Sequence, residues 1–160
     1  MSERTSGPLD GVKVVELGVW VAGPGAAGIL ADWGADVVKI EPPAGDPARS
    51  FQRMLGGDLD VNPVFELDNR GKRGIALDLS TEQGVEIADR LLADADVFLT
   101  NVRPAALDRL GLGPEGALER HPQLVDHALT DGGSQVALCH RRQPVQHRYG
   151  DNADGQPVQQ

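Results

Sequence analysis

Cysteine occurs once in the 160 residues, at Cys139. No disulfide framework can form within one chain, which fits a reducing, cytoplasmic setting. Aromatic residues make up only 4%, so the core must be built from aliphatic side chains and alanine. Positive charge is also short: 15 Lys and Arg stand against 24 Asp and Glu, for a net charge of -9. A surface of that sign repels phosphate backbones, which argues against a nucleic-acid partner. It leaves room for a small phosphorylated ligand held by a few local donors. No apolar run approaches the length of a membrane span, and the opening MSERTSGPLDG has no apolar stretch of the kind a secretory leader needs. Neither a membrane nor an export route is therefore expected.

What is present is an alternation of short apolar runs and amphipathic stretches. Val12 to Leu17 (VKVVEL), Asp36 to Glu41 (DVVKIE), Ile75 to Leu79 (IALDL) and Asp96 to Thr100 (DVFLT) read as strands, and Leu124-Val125 opens a fifth. A helix is expected from Pro24 to about Trp33, with Gly34 ending it. Ser80 is expected to cap a second helix, with Gln83 completing a capping box, and Val85, Ala88, Leu91 and Leu92 supply its apolar face. Short helices should follow from Arg103-Pro104 to about Leu110 and from Pro114 to Arg120. Residues 42 to 66, rich in proline and glycine, read as one long loop. Continuous apolar strands separated by helices imply an α/β fold: a Rossmann-like parallel sheet with helices on both faces.

The segment GVWVAGPGAAGIL (18–30) holds Gly23, Gly25 and Gly28, a G-x-G-x-x-G pattern. A dinucleotide cradle needs its first glycine directly after the first strand. Here Gly18 to Ala22 intervene, and Gly34 cuts the helix short. Glu41 does end the second strand, where a ribose-binding acid would sit, but the spacing argues against a dinucleotide site. The plainer role is for Gly25 and Gly28 to let the helix pack closely on a strand.

PLDGVKVVELGVWVAGPGAAGILADWGADVVKIEPPAGDPAR resembles the opening of the family III CoA-transferases. That superfamily includes carnitine and bile-acid CoA-transferases, formyl-CoA transferase and α-methylacyl-CoA racemase. LDNRGKRGIALDLSTEQG (67–84), ADVFLTNVRPAALDRLGLG (95–113) and HPQLV (121–125) agree in order and spacing. The resemblance implies a Rossmann-like large domain, a Gly-Pro loop lying against CoA, and two chains threaded as an interlocked homodimer. It implies no permanently bound cofactor; coenzyme A or acyl-CoA is a substrate, together with a carboxylic acid. Trp20 and Val21 match positions that contact CoA. Leu77 and Ser80 match the adenine side, and Asn101, Val102 and Arg103 the segment after the fourth strand, followed by Ala106, Arg109 and Leu110. The chemistry fits: Arg103 and Arg109 suit phosphate oxygens, and Leu77, Val102 and Leu110 suit an adenine face.

Two departures remove positive charge near the phosphates: Pro42 and Ser80 stand where several relatives carry arginine and lysine. Lys72 and Arg73 are candidate substitutes, or else solvated loop charges. The family reaction uses an aspartate that attacks the acyl-CoA thioester, and by spacing it falls beyond Gln160. The racemase branch uses a histidine that would fall near Pro144 or Val145, neither of which accepts a proton. The pattern breaks at Asp126, and three of the four histidines and six of the nine glutamines follow Val125. We therefore divide the chain into a CoA-binding segment, 1–125, and a divergent tail, 126–160, read as disordered or frame-shifted in a truncated copy. Asp151 and Asp154 in that tail lack a packed setting for a nucleophile. His127, Cys139, His140 and His147 match no zinc spacing. Asp78, like Glu41, is read as structural or ribose-facing. The functions left open are a CoA-transferase part without its catalytic aspartate, the racemase branch, and an inactive CoA-binding remnant.

Overall fold

The computed structural model of the chain describes residues 7–54, 56–57, 59–122, 124–129 and 136–141. Six strands form one sheet in the order β3-β2-β1-β4-β6-β5. Four of them run parallel: β1 (Lys13–Leu17), β2 (Asp36–Glu41), β3 (Arg73–Ala76) and β4 (Val97–Thr100). Helix α1 (Ala22–Asp32) covers one face, over a core of Val14, Ala27, Ala35, Val37, Val97 and Leu99. On the other face α4 (Glu82–Ala93) and α5 (Pro104–Arg109) pack over Val15, Ile40, Phe98 and their neighbours, with α6 (Pro114–Arg120) against α5 and the strand Leu124–Leu129. Neighbouring residues such as Val14 and Val15 feed opposite cores. That is why these strands read as continuous apolar runs. The expected parallel sheet, covered on both faces, is present.

β5 (Leu124–Leu129) begins at the expected residue, and β6 (Val136–Arg141) pairs antiparallel with both β5 and β4. Residues 136–141 thus take a place in the sheet. Residues 142–160, with His147, Asp151 and Asp154, lie outside the described residues.

Residues 42–66 are not one loop. A 3-10 turn (Pro47–Ser50), α2 (Phe51–Met54) and the first turn of α3 (Pro63–Asn69) occupy them. Pro47 and Pro63 stand just inside helical starts, where a missing N–H costs nothing, and Asp46 and Asn62 cap them. α1 starts two residues earlier than expected, which puts Pro24 at its third position, still inside the turn whose N–H groups have no acceptor. β3 lies two residues earlier, paired from Arg73 with Val38. The cap of α4 is Thr81, which accepts from the Gly84 amide at 3.1 Å; Ser80 instead donates to Asp78 at 2.6 Å. Finally, the motif glycines serve a helix, not a strand. A Cβ on Gly28 would meet the Asp68 carbonyl of α3 at 2.8 Å, whereas one on Gly25 would sit at ordinary contact distance.

Candidate functional site at the carboxyl ends of the strands

The loop from Gly18 to Val21 joins β1 to α1 at the carboxyl edge of the sheet. Its middle is gripped from two sides. Asn101, just past β4, accepts from the Val19 amide at 2.9 Å and donates to the Val19 carbonyl at 2.8 Å. Asp46 accepts from the Trp20 amide at 3.2 Å and from the Ala48 amide at 2.9 Å. Trp20 has φ 66°, the one non-glycine residue with positive φ among those described. That conformation costs roughly 1–2 kcal/mol for a residue with a side chain, and these bonds offset it.

Beneath the loop lies a set of buried charges. Glu16 and Lys39 face each other in the β1–β2 register, in step with Val14 and Val37 on the α1 side. Glu16 accepts from Lys39 Nζ at 2.8 Å through Oε1 and from Lys72 Nζ at 2.7 Å through Oε2. Lys39 also donates to the Gly18 carbonyl at 2.9 Å and makes an ion-pair contact with Asp46 Oδ2 at 3.0 Å. Lys72 donates to the Pro24 carbonyl at 2.7 Å and to Asn69 Oδ1 at 3.0 Å. All four charged side chains are at most 2% exposed. Two cations and two anions cancel; Lys72 has three acceptors, and Lys39 has two plus its ion-pair contact with Asp46 Oδ2, an oxygen that has no hydrogen-bond partner among the described residues. Burial pulls the Lys72 ammonium below its ordinary value of 10.5, with Glu16 opposing the shift.

Lys72 and Arg73 therefore do not replace the missing phosphate donors. Lys72 is locked inside, and Arg73 is bound to Asp36 at 2.7 and 2.9 Å on the far edge. The position of Pro42 borders a cleft of about 270 Å³ shared with Arg49, Gly74 and Ile75. Arg49 is also committed: it donates twice to Glu41 at 2.8 Å and lies 3.9 Å over the Phe65 ring. Glu41 is accordingly held below its ordinary 4.5 by the Arg49 hydrogen bonds, against its own burial. Asp78, held low by its hydrogen bonds from Ser80, starts the turn into α4.

The expected site residues fall into three groups. Trp20, Val21, Asn101, Val102, Arg103 and Ala106 gather around the ends of β1 and β4, and Arg109 and Leu110 close α5 beside them. Trp20 and Val21 are exposed, and Trp20 meets Phe51 edge-on with ring centres 5.9 Å apart. Arg109 is exposed and anchored through its Nε to the Ala105 carbonyl at 2.9 Å. Leu77, Val102 and Leu110 share one apolar cluster, but Leu77 is buried in it and keeps little free surface. Ser80 is exposed at the entry to α4, its hydroxyl taken by Asp78. Motif reading missed Glu16, Lys39 and Asp46. The available signal was a charge inside each of two strands that must be covered on both faces. Among the described residues no helix is long and apolar enough to cross a membrane.

The model of CoA-transferase family III matches residues 9–141. The (R)-2-hydroxy-4-methylpentanoate CoA-transferase of Clostridioides difficile is 43% identical over 136 residues, which cover 81% of this chain and 33% of that protein. The cinnamoyl-CoA:phenyllactate CoA-transferase of Clostridium sporogenes is 41% identical over 135 residues, 83% of this chain and 33% of its own. The crystal structure of a CaiB/BaiF family protein from Brucella suis superposes with a TM-score of 0.69 at 38% identity, over 80% of this chain and 36% of that one. The chain thus spans about a third of the length of the curated relatives it matches.

Proposed function

Since the chain belongs to CoA-transferase family III, we propose that it is the coenzyme A-binding part of an enzyme that moves CoA between carboxylic acids. The observation that carries this is the bonding of the 18–21 loop to Asn101 at the carboxyl ends of β1 and β4, where open α/β sheets take ligands. In this reading Arg103 and Arg109 hold the phosphates of the adenosine end, and Val102 and Leu110 offer the adenine an apolar face. The pantetheine arm runs along Trp20 to Ala22. The start of α1 has no side-chain cap and no acid in its first turn, which favours an anionic ligand nearby. The exposed pair Trp20 and Phe51, with Val21, supports an apolar acyl group. The relatives named for 2-hydroxy-4-methylpentanoate and phenyllactate take acids with apolar side chains. They are transferases, which supports transfer over racemisation.

In this reading the aspartyl nucleophile of the transfer is not among residues 1–160, and this segment contributes the binding of acyl-CoA. Residues 1–125 carry the binding surface, and the working assembly is an interlocked cytoplasmic homodimer of a longer chain. Calorimetric titration of the 160-residue chain with CoA is the test. Micromolar binding, weakened about tenfold by Arg109→Ala, is expected for the loss of one charged phosphate contact. A folded chain that gives no heat at millimolar CoA overturns the proposal.

A further inference from the structure

We propose that Lys72 is a positioning residue for the coenzyme A loop, holding its far end from beneath without touching the ligand. This rests on the functional reading above. The loop has little apolar anchorage: Trp20, edge-on to Phe51, and Val21 stay 41% and 54% exposed. Its shape is set by polar clamps. Lys39 takes the carbonyl of Gly18 at the near end, and Lys72 takes that of Pro24 in the first turn of α1, just past the far end. One carboxylate, Glu16, ties the two lysines together, an oxygen to each. Lys72 enters from the turn between α3 and β3, 48 residues along the chain from Pro24. The end of α3, just before that turn, is itself seated against α1, where the Asp68 carbonyl lies so close to Gly28 that a methyl group would not fit. Asn69, one residue further, supplies the third acceptor of Lys72. The α3–β3 turn thus sets where α1 begins and how the strained Trp20 is presented. A loop fixed in this way loses little freedom when a ligand lies along it, which is the benefit of preorganisation.

The test compares the wild-type 160-residue chain with Lys72→Met by amide hydrogen exchange and by titration with two ligands, CoA and adenosine 3′,5′-bisphosphate. The second ligand keeps the adenosine end and lacks the pantetheine arm. Exchange at Val19 and Trp20 is expected to quicken by about tenfold or more, as in a locally opened segment. CoA affinity falls about tenfold, toward that of the bisphosphate, while the bisphosphate binds both proteins alike. A purely structural lysine would not split the two ligands. Unchanged exchange in a folded Lys72→Met, or an equal loss for both ligands, overturns the proposal. Should Lys72→Met not fold, Asn69→Ala takes its place, since it removes one acceptor and keeps the charge. Exchange faster by about threefold then supports the clamp, and unchanged exchange overturns it. A wild-type chain that binds neither ligand, while the variant still loosens Val19 and Trp20, sinks the coenzyme A reading alone and supports the clamp.

Discussion

At the carboxyl ends of the strands, Glu16, Lys39, Asp46 and Lys72 are at most 2% exposed, and the last three bond the backbone of the 18–21 loop and the first turn of α1. At the amino ends the same kinds of charge stay in water: Arg73 and Asp36 pair at 2.7 Å with 66% and 44% of their side chains exposed. A cleft of about 200 Å³ lies beside that exposed pair, floored by Val15, Val38 and Leu91. Solvent screens the outer pair, and either partner can leave without penalty. The inner four have no such freedom. Each needs the others in place, so together they specify one geometry of the loop above them. Charge burial, more than the glycines, separates the end proposed to bind coenzyme A from the opposite end.

The sharpest way to break this contrast is Glu16→Ala. It leaves two buried ammonium groups without their shared acceptor, and a loss of about 3–5 kcal/mol is expected in denaturant unfolding. A loss under about 1 kcal/mol would mean that water or rearrangement relieves the site. Next in size is Arg49→Met, which frees Glu41. The lowered Glu41 contributes stability above its unfolded value, and that contribution is lost as pH falls through its folded one. The wild-type advantage is therefore expected to be about 1–2 kcal/mol at pH 7, modest because Arg49 is half-exposed, and to shrink toward pH 3. A difference that stays constant with pH would show that the Arg49 contribution is packing on Phe65 alone. The smallest effect belongs to the outer pair: Arg73→Ala is expected to cost under about 0.5 kcal/mol, and less still in 1 M salt. A larger cost would erase the distinction between the two ends.

Much of the scaffold is legible in the residues themselves. The run DVVKIE becomes β2 with the bounds its composition suggests, and Pro114–Arg120 becomes α6. Such elements are set by local patterning, which a reader of sequence shares with the chain. Pro47 and Pro63 mislead because proline punctuates loops and opens helices equally well; only the preceding Asp46 and Asn62 tell the two apart. Glu16 and Lys39 are visible as charges in covered strands. Lys72, however, reaches them from far along the chain, and no spacing rule encodes that contact. The positive φ of Trp20 is likewise unreadable, since it is imposed by Asp46 and Asn101 from opposite sides. The pairing of β6 with β4 depends on antiparallel contacts between distant segments, where local pattern carries least.

The most direct test of the central claim is an amide ¹H–¹⁵N spectrum of the chain titrated with CoA. The account predicts shifts confined to Val19–Gly23 and Asn101–Leu110, at the end where the buried charges fix the backbone. Shifts that gather instead at Lys13, Asp36 and Arg73, or an unchanged spectrum at millimolar CoA, would contradict it.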